Sequence, residues 1–492
     1  MPQPLAVHRV LGDRPFAEVG EPRAVAVDEE RGLIAIGGHV GWLHWAGAAT
    51  ATDGWMPHVL GIYDRSDLRC RTLLRTRWPI RSVDFHPRQP LLAIGTGSYD
   101  GGWIFHGELL LLHLDSGEVV SALADSREVR AVKWRTWRHG RVLDLALAPP
   151  TEFEFGNEAM VIGYDAMVTR DDWLAVRDGE IGHDELDGPL RDSDIVKPAQ
   201  ARADVEALST AWSYRGPVWG VERLRDGHVL ATMDGVRLES WRSDGELDWS
   251  TADRGGHQLV VAPDQESALA GDLEVTRYSL RDGKVLETLD SDGVITARAD
   301  GAFALRPPHP LPPALGPRHA DSALTTVFGP DRAEVGHVVL GGFGSTTHFF
   351  PVRHASALYF LRGSGQVVSV GDDLVVRPLF DQAAAGPAVE VGDSLVCSGP
   401  RVSRRRLPDG EILWRLAVEH PVTALEIDAG GSILYIALNS GRLLGIDVHT
   451  GSVLWQQELS IHGQPTVGLS LASAEPGRLL IGTVDGRILD CH

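Results

Sequence analysis

Four long segments of the sequence combine glycine with aromatic and histidine residues, and they hold the side chains best suited to chemistry. The segments are residues 38–58, 97–107, 149–159 and 341–354. Tryptophan, tyrosine and phenylalanine anchor binding surfaces when a rigid scaffold holds them, because they bury a large area at little entropic cost. The candidate partner-binding residues are Trp42, His44, Trp45, Trp55, Tyr99, Trp103, Phe105, His106, Phe153, Phe155, Phe349 and Phe350.

The aromatic segments have three explanations, which the sequence leaves open. The loops fold back and bury their own aromatic side chains as a plug, or they form a recognition surface for another protein, or they line a small-molecule pocket. Each explanation requires stable elements that hold the segments in place.

Metal-binding and catalytic motifs are absent from the sequence. A zinc or iron site needs three or four converging ligands, and the candidates show no H-x-H or HExxH spacing. GxSxG, Walker and dinucleotide-binding motifs are missing as well. We therefore expect no metal, no cofactor and no enzymatic activity. The candidate metal ligands were His39, His44, His58, His106 and Asp100.

The elements that position the loops repeat along the chain as an apolar strand, a turn containing Asp and Gly, and a second apolar strand. A β-hairpin turn needs positive φ, which Asp and Gly adopt at low cost. Recurrence at intervals of roughly 40 residues is typical of a β-propeller. The predicted fold is therefore all-β: a single closed propeller over residues 1–492, with about eight blades and seven to ten possible. The turn glycines are Gly117, Gly245, Gly283, Gly410, Gly451 and Gly486.

The repeat pattern defines individual blades in most of the sequence but not between residues 293 and 416. Between residues 293 and 416 the short strand candidates suffice for two or three blades. Continuous apolar runs indicate strands that are buried on both faces. The other predicted blades cover residues 22–74, 80–123, 127–178, 216–250, 257–290 and 421–459.

Two stretches interrupt the repeats. Residues 179–212 are polar and acidic, and we expect an insertion outside the blades with a helix over residues 199–208. The proline-rich residues 306–321 predict a second, loop-like insertion.

The two ends of the sequence complement each other. The last residues supply three strands with no fourth, and a strand near residues 5–10 is left unassigned. A ring avoids an open sheet edge by pairing its first strand into its last blade. The N-terminal strand is therefore predicted to complete the last blade.

Composition excludes several classes of partner. The net charge of −21 argues against nucleic acid, which is bound through clustered Lys and Arg. No apolar run approaches the roughly 18 residues of a membrane-spanning helix, and no signal peptide is evident at the N-terminus. Cys70, Cys397 and Cys491 are widely separated and odd in number, which favours a reducing compartment. We expect a cytoplasmic protein without a membrane partner.

Two segments resemble known repeat families. Residues 86–95 resemble the first half of a WD40 repeat, and residues 446–455 are similar to the PQQ-like repeat, in which a tryptophan after the turn docks between blades. Trp249, Trp414 and Trp455 occupy that docking position. The resemblance implies a propeller, and many degenerate members of these families are scaffolds.

The function expected from these features is a non-catalytic cytoplasmic scaffold that binds a protein partner through its aromatic loop face. One alternative is a PQQ-like or lactonase-like propeller enzyme with its site at the channel mouth. PQQ-dependent dehydrogenases of this type carry calcium near the quinone. Another alternative is a small-ligand sensor that uses the aromatic loops as a cage.

Overall fold

The structure is a computed structural model in which β-strands dominate, as the sequence predicts. The chain divides into two compact units. The larger unit contains Met1–Asp13, Trp42–Trp55 and Arg215–His492, and the smaller unit contains Arg14–Gly41 and Met56–Tyr214. The residues described are 4–41, 55–101, 104–135, 142–149, 162–186, 188–192, 198–251, 255–271, 274–291, 293–306, 324–340, 347–348, 350–362, 364–382 and 386–492.

The smaller unit contains three four-stranded antiparallel sheets, which we number 1 to 3 in chain order. Sheet 1 comprises Glu21–Asp28, Leu33–His39, His58–Asp64 and Cys70–Thr76; sheet 2 comprises Ile80–Phe85, Leu91–Thr96, Leu109–His113 and Val119–Ser121; sheet 3 comprises Val129–Arg135, Val142–Leu147, Ile162–Thr169 and Leu190–Asp192. Short 3-10 turns lie at Ala17–Val19, Trp173–Ala175 and His183–Glu185, and a two-stranded hairpin joins Ser98–Tyr99 to Phe105–His106.

The larger unit contains seven sheets, numbered 4 to 10, among the residues described. Sheet 4 comprises Val218–Arg223, Val229–Met233, Val236–Trp241 and Leu247–Ser250; sheet 5 comprises Gln258–Val261, Ser267–Gly271, Val275–Ser279 and Val285–Leu289; sheet 6 comprises Val294–Ala297, Phe303–Leu305, Leu324–Phe328 and Glu334–Val339. Sheet 7 comprises Thr347–His348, Leu358–Arg362, Gln366–Val370 and Val376–Asp381. Sheet 8 has an extra first strand and comprises Val352–Arg353, Ala388–Val391, Ser394–Cys397, Val402–Arg406 and Ile412–Leu416. Sheet 9 comprises Val422–Ile427, Ile433–Leu438, Arg442–Asp447 and Val453–Glu458; sheet 10 comprises Gly468–Ala472, Leu479–Thr483, Ile488–Cys491 and Val7–Leu11. A separate hairpin joins Ser460–Ile461 to Gln464–Pro465.

The Asp-Gly turns form as the sequence predicts. All six turn glycines have positive φ, for example +72° at Gly451. At four of these turns the preceding aspartate accepts a backbone N–H with its side chain. Asp447, for example, accepts hydrogen bonds from the backbone N–H groups of His449 and Thr450, at 3.0 and 2.8 Å. Because the same local chemistry recurs, each hairpin is specified by its own sequence.

Each sheet of the larger unit packs against the next through its own apolar cluster. Separate clusters join sheets 4 and 5, 5 and 6, 6 and 7, 7 and 8, 8 and 9, and 9 and 10. A seventh cluster joins sheet 10 to sheet 4, with Leu11, Leu480 and Ile488 packed against Val218 and Met233. The last sheet in chain order therefore shares an apolar cluster with the first sheet of this unit.

The N-terminal strand completes the last sheet, which confirms its predicted pairing. Val7–Leu11 pairs antiparallel with Ile488–Cys491. Beyond the strand, the Ala6 and His492 backbones exchange two hydrogen bonds of 2.8 and 3.0 Å. The first and last described strands are therefore neighbours: Ile488–Cys491 is paired on both sides, and Val7–Leu11 is the outer strand of sheet 10.

Aromatic side chains on the fourth strands pack onto the turn glycines of the next sheet. The Trp414 indole of sheet 8 lies against Gly451 of sheet 9, where a Cβ would come within 2.7 Å of the ring. The indole N–H also donates to the Val448 carbonyl at 2.8 Å. The Trp249 ring of sheet 4 lies in the same way against Gly283 of sheet 5.

Two further contacts repeat this arrangement with other side chains. The Phe380 ring of sheet 7 contacts Gly410 of sheet 8. Arg9, on the N-terminal strand, contacts Gly245 of sheet 4. The predicted burial of Trp414 and Trp455 is confirmed, since each side chain is 8% exposed. Trp455 packs within the cluster that joins sheets 9 and 10 and lies against Gly445 of its own sheet.

The only α-helix among the residues described lies in the smaller unit, at Pro198–Leu208, close to its predicted bounds. It packs against the first strand of sheet 1 through Ala201 and Val205, which are fully buried, and Arg202 pairs with Glu21. No described helix is long and apolar enough to span a membrane.

Several boundary predictions need correction. The polar insertion does not lie wholly outside the sheets, because Leu190–Asp192 forms the fourth strand of sheet 3. The sequence pattern predicts segment 341–354 as a loop between the second and third strands of a blade. This is wrong, because the segment leads from the last strand of sheet 6 into sheets 7 and 8. The proline-rich residues 307–321 lie outside the described residues. The single ring of about eight blades stays a prediction. The described residues form ten sheets of four or five strands, which are divided between two compact units.

Replacing Trp414 with alanine tests the contact between sheets 8 and 9. We expect Trp414→Ala to lower the free energy of unfolding by about 3–5 kcal/mol, because a large buried ring is lost from an inter-sheet core. Leu413 lies next to it on the same strand and is 37% exposed, so Leu413→Ala is the matched control and should change stability by less than ~1 kcal/mol. Chemical denaturation measures both, and equal effects would contradict the assignment.

Removing the N-terminal strand tests whether it is needed for the larger unit. Deletion of residues 1–12 should strongly lower the melting temperature, because it exposes the edge of Ile488–Cys491 and removes Leu11 from the sheet 10 core. Deletion of residues 1–4 is the control, since it leaves the strand and the Ala6–His492 hydrogen bonds in place. An unchanged melting temperature in the longer deletion would show that sheet 10 does not depend on this strand.

Candidate functional site

The predicted partner-binding residues fall into two groups. Five of them are described by the structure: Trp55, Tyr99, Phe105, His106 and Phe350. Trp55 is partly exposed. The others lie outside the described residues, and their role stays a prediction: Trp42, His44, Trp45, Trp103, Phe153, Phe155 and Phe349.

Loop 97–107 of the smaller unit forms a short hairpin that pairs two of the predicted residues. Tyr99 lies opposite Phe105 in the hairpin, with their ring centroids 5.0 Å apart. Phe105 is 1% exposed and packs against Ala148, while the Arg130 guanidinium lies 5.1 Å from its ring. The assignment of Phe105 to a partner surface is therefore corrected, because its ring is the buried base of this loop.

Phe350 in the larger unit is also buried. Its side chain has no exposed area and packs in the cluster that joins sheets 7 and 8, with Val352, Tyr359 and Ala388. Its assignment to a partner surface is corrected for the same physical reason. For these two phenylalanines, the explanation that the loops bury their own aromatics is the better one.

His106 is different, because it belongs to a partly exposed stack at the same loop. Its ring stacks on the Trp78 indole, with centroids 5.3 Å apart and planes within 8° of parallel. The Arg77 guanidinium lies 4.9 Å from the same indole centroid. Asp100 places a carboxylate oxygen 3.6 Å from His106 Nε2. We call Arg77, Trp78, Asp100 and His106 the Trp78 stack.

A buried ionic network holds the base of this loop. Glu128 is 2% exposed and forms ion pairs with two arginines of the smaller unit, Arg81 at 2.9 Å and Arg130 at 3.2 Å. Arg81 also donates to the Gly97 carbonyl at 3.0 Å, at the start of the loop. A charge removed from water needs such pairing, so the network fixes the strand ends from which the Trp78 stack projects.

Gly97 and Gly107, at the two ends of the loop, are required by close contacts. A Cβ at Gly97 would collide with the Glu128 side chain, and one at Gly107 would collide with the Thr96 carbonyl. Glycine is therefore required at these two positions because any side chain would collide with neighbouring atoms, and its presence does not indicate a flexible loop.

His58 lies at the corresponding end of sheet 1, directly opposite His39, and is 5% exposed. Burial, together with the nearby His39, Arg81 and Arg23, lowers the pKa of His58 to about 3. His58 is therefore neutral at physiological pH. This environment is cationic, although the chain as a whole carries a net charge of −21.

A second polar cluster lies where the first strands of sheets 4 and 9 approach the extra strand of sheet 8. Arg353 pairs with Glu222 at 2.5 Å and with Glu426 at 2.6 Å, and His354 Nε2 lies 2.5 Å from Glu426. Burial alone would lower the pKa of Arg353, but the carboxylates of Glu222 and Glu426 raise it well above its ordinary value. The cluster holds three sheets together by charge, and Glu426 is completely buried.

The sequence analysis missed both polar centres. Arg77 and Trp78 lie between sheets 1 and 2, outside the glycine-rich segments, and the packing partner of Trp78, His106, is distant in sequence. Arg353 and His354 fell within a predicted loop, but no local pattern links them to Glu222 or Glu426. Among the residues described, no group of three or more His, Cys, Asp or Glu side chains is placed to hold a metal ion.

His58 gives a testable pH dependence. Its pKa is about 3 in the folded protein and near 6.5 in the unfolded chain. Between these values the unfolded chain binds more protons, so stability falls as the pH falls below 6.5. At pH 5 the wild type should lose about 2 kcal/mol through this residue relative to neutral pH, and His58→Gln should not show that loss.

Denaturation at both pH values measures this difference, with His420→Gln as the control because His420 is exposed. The control should keep the wild-type pH dependence. If His58→Gln also keeps it, the buried neutral histidine is not its source.

Comparison with known proteins gives one family match and no curated relative. Residues 330–489 match the PQQ_2 family model, described as outer membrane protein assembly factor BamB. No curated protein matches the chain. The match covers the last strand of sheet 6 and almost all of sheets 7 to 10, where Trp414 and Trp455 occupy the docking position. The resemblance to PQQ-like repeats is therefore confirmed for this part of the chain.

Proposed function

We propose that the larger unit is a closed seven-bladed β-propeller and that the protein is a non-catalytic scaffold. The ring is supported by seven apolar clusters that join sheets 4 to 10 in succession and return from sheet 10 to sheet 4. The PQQ-like family match supports the same architecture. In this proposal the first strands line the centre of the ring, as in other propellers.

The partner surface that we propose is the Trp78 stack of the smaller unit, and the exposed side of this stack is the observation that carries the proposal. Arg77 is exposed and Trp78 and His106 are partly exposed, while buried Glu128 and Phe105 hold the loop beneath. An indole that is already held in place loses little entropy when a partner segment binds. Aromatic and arginine side chains of this kind dominate the energy of protein interfaces.

The enzyme alternative, with a site at the channel mouth, gains less support from the described residues. The polar cluster where sheets 4, 8 and 9 meet pairs Arg353 and His354 with carboxylates of the chain itself. Such internal pairing favours a structural role. The name of the matched family, an assembly factor, also fits a binding role.

We also propose a reducing, cytoplasmic location. Cys397 and Cys491 are buried free thiols. Burial raises the pKa of Cys397 and Cys491 to about 12, so both are protonated and unreactive at physiological pH. Free, inert cysteines suit a compartment where disulfides do not form.

The proposed function is tested by capture with a Trp78→Ala/His106→Ala double variant. Immobilised wild type and variants are incubated with a soluble extract of the source organism, and bound proteins are quantified by mass spectrometry. We expect at least one protein to be captured about tenfold less by the double variant, because the stack supplies a binding anchor. The melting temperature should fall by only a few degrees, about 2–4 °C, since both side chains are partly exposed.

Tyr214→Ala is the matched control. Tyr214 is a partly exposed ring of the smaller unit with the Arg202 guanidinium 5.3 Å from its centroid, so it loses a similar cation–π contact elsewhere. The control should capture as the wild type does. A double variant with lowered melting temperature and unchanged capture would show that the stack serves stability alone.

A further inference from the structure

A cavity of about 550 Å³ lies in the larger unit, at the seam where sheet 10 packs against sheet 4. Its wall includes residues of the N-terminal strand, of the strand end at Arg223 and of the residues that lead into Leu479–Thr483. The volume lies within the range of pockets that bind small organic molecules. The cavity is distinct from the Trp78 stack and from the Arg353 cluster.

The charge of this cavity is its most informative property. Four arginines line it, Arg9, Arg223, Arg225 and Arg478, against two carboxylates, Asp490 and Glu475. The wall therefore carries an excess of two positive charges, in a chain whose net charge is −21. Arg478 also pairs with Glu475 at 3.1 Å, and the remaining excess of arginines over carboxylates favours an anionic ligand.

The arginines share one buried carboxylate. Asp490 is 1% exposed and pairs with Arg223 at 2.6 Å, with Arg9 at 3.2 Å and more distantly with Arg478 at 3.8 Å. Asp490 thereby orients guanidinium groups from both sheets. It neutralises only one of the three charges, so the oriented arginines keep their attraction for a further anion.

Several guanidinium donors remain unused. Arg223 has a side chain that is 9% exposed, and its one hydrogen bond in the described structure runs from Nη2 to Asp490. Arg9 Nε is buried and has no acceptor among the described residues. Arg225 donates to the Pro263 carbonyl at 3.0 Å and forms no ion pair with a described carboxylate. Arginine donors match phosphate oxygens in pairs.

We propose that this cavity binds a small organic phosphate monoester. A phosphate monoester carries close to two negative charges at neutral pH, which equals the excess charge of the wall. Arg223 and Arg225 hold the phosphate, and Asp490 keeps Arg9 and Arg223 in place. Leu224 and Ala474 also line the cavity, where the organic part of the ligand would lie.

Calorimetric titration of the full chain with phenyl phosphate, inorganic phosphate and benzoate tests the proposal. Ionic strength is held constant with KCl, because exposed charges are screened by salt. Wild type should bind phenyl phosphate and, more weakly, inorganic phosphate, and should prefer both to the monoanionic benzoate. Absence of phosphate binding up to about 10 mM would overturn the proposal. Equal or tighter binding of benzoate would overturn the assignment to phosphate.

The variants Arg223→Gln and Arg225→Gln locate the site. Each should raise the Kd for phenyl phosphate about tenfold or more, since a charge-assisted hydrogen bond is lost. Arg225 is exposed, so its variant should fold even if the loss of the buried Arg223 destabilises the seam. Arg377→Gln removes an equal charge from an exposed ion pair of sheet 7 and should leave the Kd within about twofold. Equal weakening by all three variants would show non-specific attraction and overturn the proposal.

Discussion

The contact between a fourth strand and the turn glycine of the following sheet is the interaction on which the larger unit depends. A sheet that is apolar on both faces is stable only when each face is covered by another sheet. Trp414 against Gly451 and Trp249 against Gly283 place a flat ring where only a residue without Cβ fits. This contact fixes the offset between sheets, and the apolar clusters fill the remaining space.

The repeating architecture could be predicted from the sequence because its determinants are local. Asp and Gly set each turn, alternating or continuous apolar residues set the strands, and a surplus strand at one end matched a missing strand at the other. Pairing of Val7–Leu11 with Ile488–Cys491 followed from counting strands. Segment 341–354 was assigned wrongly because its extra strand, Val352–Arg353, pairs parallel with Ala388–Val391 and breaks the repeat.

The candidate sites were harder to predict because their members are brought together only by folding. Glycine and aromatic residues singled out loop 97–107, but they did not distinguish buried Phe105 from partly exposed His106. Burial depends on what the fold places against each ring, here Ala148 for the first and Trp78 for the second. The cationic cavity could not be predicted from composition, because an overall excess of acidic residues does not indicate which arginines lie close together in the fold.

One arrangement recurs at three polar centres of the protein: a buried carboxylate shared by two or more basic side chains. Glu128 pairs with Arg81 and Arg130, Glu426 with Arg353 and His354, and Asp490 with three arginines. An isolated buried acid would be costly. Shared in this way, the acid ties neighbouring elements together and fixes the directions of the guanidinium groups.

The pairing of the first strand with the last also sets an order on biosynthesis. During translation Val7–Leu11 leaves the ribosome long before its partner Ile488–Cys491 has been made. The smaller unit, whose residues lie between Arg14 and Tyr214, is meanwhile complete in sequence and free to form its three sheets and helix. Domains generally fold as units during synthesis, so the smaller unit matures first on the nascent chain. The seam between sheets 10 and 4, with its arginine-lined cavity, forms only after Ile488–Cys491 has been synthesised.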